Sequence, residues 1–106
     1  MDDFVISGGT LIALANMLKA HGAKRIFSCV SHTLLNPEGV ERLNQSCVER
    51  LLTTDTVYSP LIAGNKKIHV LSSAPLFAES IIRIQIRQSI SSLFNTVPEK
   101  VLDELF

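Results

Sequence analysis

The chain has 106 residues, 46% of them hydrophobic, with ten basic and ten acidic side chains. That allows one domain at most, with enough apolar content for a core. Balanced charge gives no basic excess for nucleic acid or an anionic membrane, and the apolar runs are too short to cross a bilayer.

The first stretch is the most informative: Asp2-Asp3-Phe4-Val5-Ile6-Ser7-Gly8-Gly9-Thr10. Gly8 and Gly9 are free to take positive φ and to let a ligand touch the main chain. Successive N–H groups in such a turn form an anion cup, and a helix opening at about Thr10 points its positive end there. Ser7 and Thr10 add hydroxyl donors. Asp2 and Asp3 repel phosphate but accept hydrogen bonds from a sugar diol. A loop with a phosphate at one end and vicinal hydroxyls at the other reads as a phosphorylated-pentose site. In open α/β sheets such a loop follows a buried strand. Only Met1 precedes Asp2, so that leading strand is expected to be missing.

Residues 10–21 read as a helix, with Leu11, Leu14, Ala15 and Leu18 in one stripe and Gly22 as the stop. Ile26–Val30 reads as a strand buried on both faces. Ser31-His32 ends it on the ligand side of the sheet, where His32 contacts ligand, orients the neighbouring loop or is satisfied by backbone at the strand end. Asn36-Pro37 starts a short amphipathic segment, 37–46, with Val40 and Leu43 inward. Residues 47–53 read as a strand, followed by the polar turn Thr54-Asp55-Thr56.

Residues 57–66 read as a loop and 68–71 as a strand, with His69 structural. A helix over 74–87 has a broad apolar face (Leu76, Phe77, Ile81, Ile82, Ile84) and no good stop signal in Gln85–Gln88. Ser89-Ile90-Ser91-Ser92-Leu93-Phe94 reads as a capped turn. Residues 98–105 read as a short extra helix, with Val101, Leu102 and Leu105 on one side. The fold class is α/β: an open, mostly parallel sheet of about three to four short strands flanked by helices. Residues 1–94 form its domain, without a leading strand, and 95–106 a C-terminal extension. Cys29 and Cys47 lack metal-ligand spacing, and Met1-Asp2-Asp3 lacks the basic start of a signal peptide. Reduced, buried thiols and a cytoplasmic location are expected.

D-D-x-x-x-[ST]-G-G-T resembles the phosphoribosyl diphosphate loop of type I phosphoribosyltransferases. Gly22-Ala23-Lys24-Arg25, Ser31-His32, Val40-Glu41-Arg42, Thr54-Asp55-Thr56, Ala74–Glu79 and Ser89–Phe94 follow in order. Together they resemble the C-terminal part of the ribose-phosphate diphosphokinase (PRPP synthetase) family, over about residues 2–94. The resemblance implies transfer of a pyrophosphoryl group from ATP to ribose 5-phosphate, with Mg²⁺. It implies Ser7, Gly8, Gly9 and Thr10 for the 5-phosphate and Asp2 and Asp3 for the ribose hydroxyls. It implies Asp55 and Thr56 near the pocket, and Ser89, Ser91 and Phe94 in a regulatory phosphate or nucleotide site at a subunit boundary. The family's Mg²⁺ ligands and ATP-binding segment match nothing in this chain, and Ile6 stands where the family carries a third aspartate. Three readings follow: a ribose 5-phosphate- or PRPP-binding domain, inactive alone; a degenerate structural or regulatory partner of full-length subunits; and, third, a standalone phosphoribosyltransferase. A homo-oligomer or contact with PRPP synthetase subunits is expected.

Overall fold

The computed structural model describes residues 1–105, the last by its main chain only; the side chain of Leu105 lies outside the described residues. Four strands, β1 (Asp2–Val5), β2 (Phe27–Thr33), β3 (Arg50–Thr54) and β4 (Ile68–Leu71), form one sheet in the order β1-β2-β3-β4. All three pairings are parallel. Helix α1 (Gly9–Ala20) joins β1 to β2, and α2 (Pro37–Gln45) joins β2 to β3. A 3₁₀ turn at Pro60–Ile62 lies before β4. Helix α3 (Ala74–Gln85), a second 3₁₀ turn at Ser91–Phe94 and α4 (Glu99–Leu105) follow. The chain forms two compact units, one of Met1–Leu71 and one from Ser72 onward.

Sequential strand order with right-handed crossovers carries α1 and α2 over the same face of the sheet, and the two helices touch. The core lies beneath them. Val5, Val30, Leu51 and Ile68 supply it from the strands, Ala15 and Leu43 from the helices, and Leu51 has 0% exposure. Full burial of one such aliphatic side chain is worth about 1.5–3 kcal/mol. Within this unit the opposite face has no helix of its own. Phe27 and Cys29 are exposed on β2, so this strand is not buried on both faces as its apolar run suggests, and Cys29 is not a buried thiol; Cys47 is only half-buried.

Asp2–Val5 is a strand rather than the start of a loop. Asp2 pairs with Val30, Phe4 with His32 and Val5 with Thr33. Main-chain pairing with β2 extends the chain to Val5, and only Ile6, Ser7 and Gly8 remain between β1 and α1. Helix α1 starts one residue before Thr10 because Gly8, in the left-handed region at φ 74°, turns the chain there. β3 starts at Arg50, after the Ser46 hydroxyl has accepted the Val48 N–H at 3.2 Å and held that segment out of the ladder.

The ends of α1 and α3 follow one rule. In α1 the Ala23 N–H bonds the Leu18 carbonyl at 3.0 Å and the Gly22 N–H that of Lys19 at 3.1 Å, with Gly22 at φ 94°. In α3 the Gln88 N–H bonds the Arg83 carbonyl at 2.8 Å and the Arg87 N–H that of Ile84 at 3.2 Å. Both are Schellman ends. The second puts Arg87 at φ 56°, where glycine is the usual residue. That is why the sequence shows no stop there, although the helix ends.

Candidate functional site

β1 delivers the chain to the carboxyl end of the sheet, and α1 leaves from that point. The turn is held from behind. The Leu34 N–H bonds the Val5 carbonyl at 2.9 Å and the Asn36 N–H the Ile6 carbonyl at 3.2 Å. The Asn36 side chain caps α2 by accepting the Gly39 N–H at 2.7 Å, which fixes the segment that supports the turn.

Of the two glycines, only Gly8 needs positive φ. Gly9 is the first helical residue, and its role is open space: a β carbon there would meet only Ser7 Oγ, at 3.7 Å. No side chain caps α1. Ser7 Oγ accepts the Gly9 N–H in a long contact of 3.5 Å. Among the described residues no protein acceptor meets the N–H groups of Thr10 and Leu11. Ser7, Gly9 and Thr10 are exposed. The first turn of α1 therefore presents unpaired N–H groups, its positive end and two hydroxyls to solvent, a setting that suits an oxyanion.

Asp2 and Asp3 stand on β1, upstream of the turn. Asp2 Oδ1 accepts the Asp3 N–H at 2.9 Å, and Asp3 Oδ1 the Phe4 N–H at 3.0 Å. Contact with the Asp2 carboxyl chiefly, then these main-chain N–H groups and the charge of His32, hold the Asp3 carboxyl below its usual range, against some desolvation.

A cavity of about 470 Å³ is lined by Asp2, Asp3, Ser7, Gly8, Gly9 and Thr10, so the six sequence candidates share one space. Its other end is chemically different. Leu14 and Leu18 of α1, with Ile26, Phe27 and Val30, form an apolar floor that offers nothing to a sugar phosphate. Among the described residues no lysine, arginine or histidine lines the cavity. Among the described residues no three His, Cys, Asp or Glu side chains group as metal ligands.

Thr56 joins the ends of β2 and β3, its Oγ1 lying 2.6 Å from His32 Nδ1, while the Asp55 N–H bonds the Leu71 carbonyl of β4 at 3.1 Å. The three regulatory candidates lie in the second unit. Ser89 Oγ and Ser91 Oγ are 3.0 Å apart, and Phe94 is 88% exposed. The sequence reading missed what holds them. Arg83 Nη1 donates to the Ser89 carbonyl at 2.9 Å and to Ser92 Oγ at 2.6 Å. Arg83 Nε meets Glu79 Oε1 at 2.9 Å, and Lys100 Nζ meets Glu79 Oε2 at 2.6 Å. Glu79, buried at 6% exposure, thus joins α3, the serine turn and α4. The spacing of Glu79 and Arg83, i and i+4 on a helix, was the available signal.

No helix among the described residues is long and apolar enough to cross a membrane.

Residues 1–95 match the family model described as the phosphoribosyl synthetase-associated domain. The ribose-phosphate pyrophosphokinase of Caldanaerobacter subterraneus subsp. tengcongensis is 42% identical over 94 residues, covering 89% of this chain and 30% of that protein. That of Bacillus subtilis is 37% identical over 95 residues, covering 90% and 30%. Phosphoribosylpyrophosphate synthetase from Mycobacterium smegmatis superposes with a TM-score of 0.72 at 30% identity, over 81% of this chain and 29% of that one. The chain spans about 30% of the length of the curated relatives it matches. Family model, sequence relatives and fold agree, and the chain belongs to the phosphoribosyl synthetase-associated domain family.

Proposed function

We propose that this chain is the ribose-phosphate-binding, C-terminal part of a ribose-phosphate pyrophosphokinase. The 5-phosphate sits on the N–H groups and hydroxyls of Ser7–Thr10. The ribose hydroxyls donate to Asp2 and Asp3, with PRPP held in the same way after transfer. The observation that carries this reading is the open first turn of α1 behind Gly8 at φ 74°, in one cavity with the carboxylate pair.

The family reaction moves a pyrophosphoryl group from ATP, and it depends on positioning and on positive charge around the phosphates. These residues bind and orient an acceptor sugar. Among the described residues no cationic side chain lines the cavity, so they do not neutralise a transferring group. The Mg²⁺ implied by the family does not fit these residues either, because Asp2 and Asp3 each turn one oxygen onto a main-chain N–H and, among the described residues, no third ligand joins them. The chain on its own is therefore inactive, and its location is the cytoplasm. A coupled assay for AMP from ATP, ribose 5-phosphate and Mg²⁺ gives the blank rate; turnover above blank contradicts this. Calorimetry with ribose 5-phosphate gives heat for the natural chain and none for Gly9→Val, whose side chain fills the cup. Equal heats remove the loop from the account.

A second reading is favoured by Ile6. This apolar side chain stands 51% exposed beside the cup, where the resemblance calls for an aspartate. In that reading the chain is a non-catalytic partner packed on full-length subunits. Exposed apolar surface supports an assembly in both readings. Phe77, Ile81 and Ile84 of α3, all more than half exposed, contribute to it.

A further inference from the structure

β1 is an edge strand. It pairs with β2, and among the described residues no strand pairs with its other side. An open edge presents free N–H and C=O groups, a template for a further strand. This edge also borders apolar surface. The cavity runs along Met1–Val5, and Leu14 and Leu18 of α1, both about half exposed, line the same space. An open edge beside an apolar groove is a setting for strand pairing.

One bond gives the main-chain directions along β1. The N–H of Leu34, the residue after β2, bonds the Val5 carbonyl at 2.9 Å, so Val5 turns its main-chain groups toward β2. These groups alternate sides along a strand. Asp3 therefore faces β2 as well, while Asp2 and Phe4 face the open edge. Of the two outward N–H groups, that of Asp2 lies at the first residue of β1 and that of Phe4 inside it. Asp3 Oδ1 accepts the Phe4 N–H at 3.0 Å. A partner strand cannot take this donor without displacing the carboxylate. The exposed Asp2 adds a second negative charge to the same four residues.

A second copy of this chain carries the same obstacle. Pairing two copies edge to edge sets two carboxylates from each on short facing strands, and it breaks the Phe4–Asp3 contact twice. Like charges on paired strands are destabilising, and charge is a common means of keeping sheet edges apart.

We propose that Asp3 guards the open edge of β1 against strand pairing with a second copy of this chain, by covering the Phe4 N–H and by its charge. The apolar floor beside β1 is the surface that such pairing buries. Any assembly of the natural chain leaves β1 unpaired. This stands apart from the ribose-phosphate reading, and its test uses no ligand. Sedimentation velocity of the whole chain reads the outcome. Asp3→Val removes both charge and acceptor, and it tightens self-association about tenfold, the scale of one hydrogen bond. Asp3→Asn keeps an acceptor for the Phe4 N–H and gains less. In the Asp3→Val background, Phe4→Pro deletes the outward N–H and returns association to the natural level. Phe4→Ala loses the ring, keeps the N–H and retains the gain. Proline is tolerated on an edge strand where the N–H faces solvent, and circular dichroism checks that each variant keeps the natural helix content. Unchanged association in Asp3→Val overturns the proposal. So does a gain that Phe4→Ala removes as fully as Phe4→Pro, since the ring and not the N–H then carries it. Equal gains with Asn and Val overturn the role given to the covered N–H.

Discussion

Gly39 lies so close to Ile6 that a β carbon on it would stand 3.0 Å from the Ile6 carbonyl oxygen, and 2.9 Å from Leu35 Cδ2. The first turn of α2 is thus seated directly behind the turn at Ile6–Gly8. Alanine in place of glycine inside a helix is ordinarily worth about 1 kcal/mol. Here the contact is with a backbone oxygen already bonded to the Asn36 N–H at 3.2 Å, which leaves little room to give. Overpacking of this kind costs about 1–3 kcal/mol. Gly39→Ala is expected to lower stability by about 1 kcal/mol net, read as a lower denaturant midpoint at unchanged slope. A higher midpoint contradicts the packing.

Gly8 gives a different test. A β carbon there would have ordinary neighbours, the nearest at 3.6 Å, so crowding is not the obstacle. The obstacle is φ 74°, which costs an L-residue about 1–2 kcal/mol. Gly8→Ala is expected to lose that amount and Gly8→Asn less, because asparagine tolerates the left-handed region. Denaturant midpoints in the order Gly, Asn, Ala support the geometry; Ala equal to Gly contradicts it.

The end of α3 predicts a gain. Arg87 holds φ 56° at the position where a Schellman end favours glycine. Arg87→Gly removes that strain and is expected to stabilise the chain by about 1 kcal/mol, less the entropy glycine adds to the unfolded state. Thermal unfolding checks it, and a lower midpoint contradicts it.

Acid should loosen the second unit through Glu79. Hydrogen bonds from Lys100, then Arg83, hold its carboxyl below the usual value, against a desolvation that raises it. A depressed folded-state pKa contributes stability that is present above the unfolded value and is lost as pH falls through the folded one. Glu79→Gln is thus expected to be less stable than the natural chain at pH 7, with the gap closing below about pH 4. A gap that widens in acid contradicts the ion-pair account.

Much of this fold is written in local signals. Ile68, Val70 and Leu71 mark a strand around His69, and Gly22 and Pro37 mark helix ends by their own chemistry. What was not legible depends on partners distant in sequence. Asp2–Val5 is a strand only because β2 pairs with it, and four residues carry no period that could show it. Phe27 and Cys29 match a doubly covered strand in composition, yet their outer face stays exposed. Gly39 looks like an indifferent helical glycine until the Ile6 carbonyl is placed against it. The six loop and carboxylate candidates could be named from residue type and order. The Thr56–His32 contact joins residues 24 apart and needed coordinates.

The central claim is that the N–H groups at the start of α1 receive the phosphate of a pentose phosphate. The most direct measurement is a ¹H–¹⁵N spectrum of the chain titrated with ribose 5-phosphate, with ribose alone as control. The account predicts that the amides of Gly9, Thr10 and Leu11 move most, saturably, with ribose 5-phosphate, and stay still with ribose. Amides that stay still with both, or shifts centred on the apolar floor around Leu14 and Leu18, contradict it.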